Sequence, residues 1–150
     1  MKKLLILALV LFPFFSFAQT PMQPYLTMDD AKRISDAAEA RAKQDNWTVV
    51  IVIMDASGNL ISLRKLDGTQ IGSIEVAQAK AKSAALFKRP TKVFQDGIAA
   101  NPGILSLPNA VAIEGGLPIF KDGIIVGSIG VSGVTSVQDG IIADAGVKAY

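Results

Sequence analysis

Apolar residues recur every three or four positions in three segments, and this spacing predicts amphipathic helices. The predicted helices cover approximately residues 28–44, 73–88 and 135–148. Two of them begin with a threonine three positions before Asp30 or Gln138, the spacing of a capping box. Pro90 ends the second helix, because proline disfavours the helical conformation of the preceding residue. A shorter helical segment is expected over residues 91–98.

Apolar segments that lack this helical spacing predict strands. Residues 47–54 form a nearly unbroken β-branched run, which is typical of a central strand that is buried on both faces. A short turn separates this run from a second strand over residues 60–66, so the two form an antiparallel hairpin. Another hairpin is predicted from residues 119–120 and 124–131, and residues 104–113 are expected to be a loop that leads into a strand. Antiparallel strands flanked by helices indicate an α+β fold.

The N-terminus has the layout of a secretory signal peptide. Two lysines precede an apolar run of about 14 residues, shorter than the ~20 that a membrane span needs, and small residues precede a cleavage site after Ala18. The alternative, an uncleaved membrane anchor, lacks a following stop-transfer pattern. We therefore expect residues 1–18 to be removed on export to the periplasm or the exterior. A short exposed leader, residues 19–26, would then precede one domain, residues 27–150.

The amino-acid composition excludes several kinds of binding site and catalytic site. Without the two lysines of the signal peptide, the 15 basic residues become 13, which equals the 13 acidic residues, so nucleic-acid binding is not expected. The sequence has no histidine and no cysteine, which removes thiolate and imidazole metal ligands and nucleophile–histidine catalysis. Ser62 and Lys65 match S-x-x-K without its companion motifs, as expected of a chance match. We expect no catalytic residues, no metal site and no enzymatic activity.

Three local features are candidates for ligand binding, and each also has a structural interpretation. The glycine-rich segment 127–133, with Gly130 and Ser132, indicates either a helix packed tightly on a strand or the close approach of a ligand. The basic pair Lys88 and Arg89 lies at a helix end, where the helix dipole favours cations, or it grips an anion.

The third candidate feature is a bend, residues 114–118, with exposed backbone N–H groups. Glu114 in this bend either accepts hydrogen bonds at a pocket rim or caps neighbouring backbone. The predicted ligand contacts in the bend are Glu114, Gly115, Gly116 and Pro118.

Several segments together resemble the GlcG/HbpS family of heme-binding proteins, also described as haem-degrading-like domains. The matching segments are residues 26–31, 55–60, 78–82, 84–91, 114–118 and 129–133. The resemblance implies a profilin-like sandwich, in which helices pack on the faces of an antiparallel sheet, and self-association into a homo-oligomer. The signal peptide makes the exported heme-binding members the nearest analogues.

Four functional hypotheses follow. The first is an exported module that binds heme or another tetrapyrrole. Its cavity would be bordered by residues 114–118, here named the Glu114 bend, and by the turn at Arg89 and Pro90, here named the Arg89 corner. Heme iron is usually held by histidine, cysteine, methionine or tyrosine, so a heme site in this chain would need an unusual ligand or contact without strong axial ligation. The mature chain offers Met22, Met28, Met54, Tyr25 and Tyr150, and Met54 is expected to be buried. The alternatives are a module that binds a small organic acid, a sensory or scaffolding partner of a membrane receptor, and a heme-degrading enzyme.

Overall fold

The structure, a computed structural model, describes residues 23–150 and is built around a four-stranded antiparallel sheet. The elements run in the order α1 (Met28–Gln44), β1 (Val50–Asp55), β2 (Leu60–Lys65), α2 (Ser73–Phe87), α3 (Thr91–Gly97), a 3-10 helix (Pro102–Ser106), β3 (Gly116–Lys121), β4 (Ile124–Ser132) and α4 (Ser136–Lys148). The strand order is β2-β1-β4-β3. The predicted signal peptide, residues 1–18, lies outside the described residues. Within residues 23–150, no helix is long and apolar enough to cross a bilayer.

Alternate residues of the central strand β1 face two different helical layers. Ile51 and Ile53 pack in one core with α1 and α4, whereas Val50, Val52 and Met54 pack in another with α2. β1 lies between β2 and β4 in the sheet, as its apolar sequence predicts. The predicted α+β class, with helices on both faces of an antiparallel sheet, is confirmed, and so is the burial of Met54.

Both predicted capping boxes are present. The Thr27 hydroxyl accepts a hydrogen bond from the Asp30 backbone N–H at 3.1 Å, and the Asp30 carboxylate accepts one from the Thr27 backbone at 3.1 Å. Thr135 and Gln138 make the reciprocal bonds of 3.4 and 3.1 Å at the start of α4. These bonds satisfy backbone donors that a helix start leaves without partners, so they fix where α1 and α4 begin.

The segment before β4 differs from its prediction. No strand forms within residues 104–113; a 3-10 helix and a loop lie there instead. β3 begins at Gly116 and includes Pro118, both of which were predicted as part of a bend. Proline is tolerated at this position because β3 is an edge strand, where a backbone N–H is not needed by a second neighbour.

Two apolar side chains also lie elsewhere than predicted. Leu26, assigned to an exposed leader, is buried in the core against Gly127 of β4, where the absence of a side chain makes room for it. Ile71 has the helical spacing of Ile74 and Ala77, which predicts that it shares their buried face, but it precedes α2 and is 81% exposed.

Candidate functional site

α2 packs directly on two glycines of the sheet. Gly116 and Gly130 are paired in register across β3 and β4. A Cβ atom on Gly130 would lie 2.1 Å from the Ala77 carbonyl oxygen, and one on Gly116 would lie 2.4 Å from the Lys80 carbonyl oxygen. Neither distance is compatible with a side chain, so the glycines set how closely α2 approaches the sheet. This arrangement agrees with the first interpretation of the glycine-rich segment, in which a helix packs tightly on a strand.

The serines that alternate with Gly130 also bind α2. The Ser128 hydroxyl donates to the Ala81 carbonyl oxygen at 2.7 Å, and the Ser132 hydroxyl lies 3.4 Å from that of Ser73. Gly130 and Ser132 are buried in this conformation. Contact of either residue with a ligand stays a prediction.

A buried ion pair lies beside these glycines. Lys80 Nζ is 2.7 Å from Asp139 Oδ2 and donates to the Val131 carbonyl oxygen at 3.1 Å. The lysine and aspartate side chains are only 1% and 3% exposed. Burial raises the pKa of the Asp139 carboxyl, against the opposing effects of the Lys80 ammonium and the Val134 N–H. The ion pair therefore connects α2 with α4, and the bond to the Val131 carbonyl oxygen connects both with the end of β4.

This ion pair was not predicted from the sequence, although the position of Lys80 gave one indication of it. Helical spacing places Lys80 three residues after Ala77 and four before Ala84, on the alanine face of α2. A lysine on an apolar helix face needs a buried partner. Asp139, 59 positions further along the chain, could not be identified as that partner from local pattern.

The Glu114 bend and the Arg89 corner lie next to each other, as predicted, but they are joined by direct hydrogen bonds. The Thr91 hydroxyl accepts from the Gly116 backbone N–H at 3.0 Å, and the Gln95 side-chain oxygen accepts from the Glu114 N–H at 2.8 Å. α3 therefore lies directly against the bend. The expectation of exposed backbone N–H groups at Glu114 and Gly116 was wrong, because Gln95 and Thr91 accept hydrogen bonds from them. A ligand cavity between the bend and the Arg89 corner stays a prediction.

The remaining part of the bend is also enclosed by protein atoms. Gly115 has a φ of +123°, and a Cβ atom there would lie 2.8 Å from the Val131 carbonyl oxygen and 2.9 Å from Lys80 Nζ. The Glu114 carboxylate lies against α4, where a Cβ on Gly140 would be 2.5 Å from its Oε1. Pro118 is buried in β3. Ligand contact by these residues stays a prediction.

The predicted cations are on the surface. Lys88 is the left-handed C-cap residue of α2, with a φ of 53°. The Arg89 guanidinium lies 5.6 Å from the centroid of the Phe94 ring and donates through Nε to the Phe87 carbonyl oxygen at 3.2 Å. Phe87 and Phe94 meet edge to face at 5.1 Å. Arg89 thus forms a positively charged cap on an aromatic pair.

Three surface clefts of about 420, 430 and 440 Å³ are lined by other residues. The first is bordered by Trp47 and the end of β2, and the third by Tyr25 and the β1–β2 turn. The second, here named the Met54 cleft, lies between that turn and α2. It is lined by Met54, Gly58, Asn59, Leu60, Glu75, Gln78, Ala79 and Lys82. No group of three or more acidic side chains that could hold a metal ion occurs in the part of the chain that the structure describes.

Comparisons with known proteins agree on one family. Residues 26–148 match the family described as "Haem degrading protein HbpS-like". The protein GlcG of Escherichia coli strain K12 is 34% identical over 108 residues, which are 71% of this chain and 81% of that protein.

Two solved structures are also similar. The crystal structure of HbpS has a TM-score of 0.80 and 28% identity, and the match covers 87% of this chain and 93% of that one. The crystal structure of a PduOC:heme complex has a TM-score of 0.77 and 28% identity, with 85% and 96% covered. The chain belongs to the HbpS-like family.

Proposed function

We propose that the protein is an exported module that binds heme or another tetrapyrrole. The observation that carries this proposal is the likeness to PduOC, a chain of the same fold that was crystallised as a heme complex and is 28% identical over 85% of this chain. The proposal is for binding rather than catalysis, because the sequence lacks histidine and cysteine. Export rests on the signal-peptide pattern of residues 1–18.

The surface around the end of α2 has the chemistry that a heme molecule requires. Heme is a flat apolar macrocycle with two carboxylates, so a site needs apolar contacts with cations beside them. Leu60 and Leu86 are exposed by 52% and 42%, Lys82 is an exposed residue of α2, and Lys88 and Arg89 are exposed residues that follow the end of this helix. Binding would remove these apolar side chains from water.

A hemin titration tests the proposal. The purified protein should give a saturable shift of the Soret band, with fixed stoichiometry. Arg89→Ala should weaken the binding, because it removes a cation from the end of α2. Lys32→Ala is the matched control, since Lys32 is an exposed lysine on α1, on the opposite face of the sheet. Parallel titrations with metal-free protoporphyrin IX and cobalamin distinguish heme from other tetrapyrroles. If none of the three binds saturably, the proposal is wrong.

We further propose that copies of the chain self-associate. Several large apolar side chains are exposed away from the C-terminal end of α2, including Ile71 at 81%, Leu105 at 66% and Val137 at 57%. Burial of such side chains between copies would remove them from water. Light scattering with size-exclusion chromatography should give a mass that is a multiple of the chain mass, and a monomer at micromolar concentration would contradict this.

A further inference from the structure

The first surface cleft, here named the Trp47 cleft, lies where the C-terminal end of α1 meets the end of β2. Its volume of about 420 Å³ is within the range of small-molecule sites, ~300–1,000 Å³. Trp47 and Leu66 line it, and both are partly buried against the core formed with α1 and α4. The polar lining residues are Glu39, Lys43, Asn46, Thr48, Lys65 and Asp67. The cleft therefore combines an indole and an aliphatic side chain with a mainly polar wall.

The charges in the lining of the Trp47 cleft cancel. The lining contains two carboxylates and two ammonium groups, which belong to Glu39, Asp67, Lys43 and Lys65. A ligand with a net charge of either sign would be attracted by one kind of group and repelled by the other. Carboxylates accept hydrogen bonds and ammonium groups donate them, whereas the Asn46 amide and the Thr48 hydroxyl do both. This lining matches a neutral ligand with many hydroxyl groups, because each hydroxyl also donates and accepts.

Contacts within the protein hold the walls of the Trp47 cleft in place. The Arg64 guanidinium donates to Glu39 Oε2 at 3.0 Å and so joins β2 to α1. The Trp47 backbone N–H donates to the Ala42 carbonyl oxygen at 2.9 Å, and Arg41 Cζ lies 5.0 Å from the centroid of the indole ring. Walls that are ordered before a ligand arrives lose less conformational entropy when it binds.

Two of the charged groups are available to a ligand. Lys65 and Asp67 are exposed, and neither takes part in an ion pair within residues 23–150. The other two clefts lack this combination of features. The Met54 cleft has no aromatic residue in its lining, and the cleft next to Tyr25 is lined by Asp55 without a lysine or arginine.

We propose that the Trp47 cleft binds a neutral sugar. Hydroxyl groups of the sugar donate to the Asp67 carboxylate and accept from the Lys65 ammonium group, and C–H groups of the sugar ring pack against the Trp47 indole. Hydrogen bonds that involve a charged partner are the stronger ones, so these two side chains carry most of the polar recognition. This inference goes beyond the proposed function, because it assigns a second ligand to a cleft that none of the tetrapyrrole-site residues line.

The fluorescence of Trp47 reports on this cleft directly, because the sequence has no other tryptophan. Titration with D-glucose, D-galactose, N-acetyl-D-glucosamine and maltose should give a saturable change in emission for at least one of these sugars. Asp67→Ala should weaken that binding about tenfold, because it removes a charged hydrogen-bond acceptor. Asp144→Ala is the matched control, since it removes a carboxylate of α4 that does not line the cleft, and its affinity should stay within about twofold of the original.

Two charged probes test the argument from charge. D-Gluconate carries one negative charge and D-glucosamine one positive charge, and each should bind more weakly than the neutral sugar. Tighter binding of either probe would overturn the assignment to a neutral ligand.

Saturation-transfer difference NMR with the same four sugars gives a second measurement that does not depend on tryptophan emission. The inference is wrong if neither method detects saturable binding, or if Asp67→Ala binds as tightly as the unsubstituted protein. The hemin titration does not involve this cleft, so its outcome and that of the sugar titration are independent.

Discussion

Replacement of Lys80 by methionine would leave the Asp139 carboxylate buried without its cation. Both side chains are at most 3% exposed, and their charged atoms are 2.7 Å apart. Methionine keeps most of the aliphatic stem of lysine, so the change removes charge with little loss of packing. Removal of one partner from a buried pair costs about 3–5 kcal/mol, a large share of the ~5–15 kcal/mol by which domains are stable. Urea unfolding, followed by Trp47 fluorescence, should show a lower midpoint with a similar slope.

The loss of stability in Lys80→Met should depend on pH. Without the ammonium group, the pKa of the buried Asp139 carboxyl rises further above its unfolded value of about 3.9. A raised folded-state pKa gives a stability contribution that is fully present below the unfolded pKa and is lost as pH rises through the folded pKa. The penalty relative to the unsubstituted protein should therefore grow from about pH 4 to pH 7.

Two variants control this experiment. Lys82→Met removes an exposed lysine from the same helix and should change the free energy of unfolding by less than about 0.5 kcal/mol. Lys80→Met combined with Asp139→Leu removes both charges and should recover much of the lost stability. A penalty below about 1 kcal/mol for Lys80→Met at pH 7, or one that is constant with pH, would refute the reasoning.

Three further predictions concern packing and caps. Gly130→Ala places a Cβ 2.1 Å from the Ala77 carbonyl oxygen and should lower stability by about 3 kcal/mol or more; an unchanged melting temperature would contradict the close packing of α2. Thr135→Ala removes an N-cap and should cost about 1 kcal/mol in urea unfolding, whereas Thr135→Ser should cost much less. The Thr27 hydroxyl lowers the pKa of Asp30, so this carboxylate stabilises the fold above its unfolded pKa and the contribution is lost as pH falls through the folded value. Asp30→Asn should therefore lose less stability in acid than the unsubstituted protein, and identical pH profiles would count against this.

Features that depend on neighbouring residues were predictable from the sequence. The capping boxes at Thr27 and Thr135 involve residues three positions apart, and both are present. The nearly unbroken apolar run of residues 47–54 predicted the central position of β1 and the burial of Met54. The start of β3 was missed because Gly116 and Pro118 have low strand propensity. They extend the sheet because β4 offers a partner, which is a property of the tertiary fold.

In the candidate site, too, local sequence patterns identified residues, whereas contacts between residues far apart in the sequence were not predictable. The local sequence identified Glu114 and Arg89 as candidate site residues, and in the structure their segments lie next to each other. Which atoms fill the space between them depends on Thr91 and Gln95, whose contacts could not be read from spacing. The same holds for Lys80, since its partner is 59 residues away.

Two of the predicted site residues determine the position of α2. Gly116 and Gly130 let the helix lie against the sheet, and the Lys80–Asp139 pair holds it there. α2 in turn forms one wall of the Met54 cleft. A substitution that lifts the helix would therefore open this cleft without touching its lining. On this reasoning, the glycine-rich strand determines the shape of the Met54 cleft through the position of α2, although neither glycine is among the residues that line the cleft.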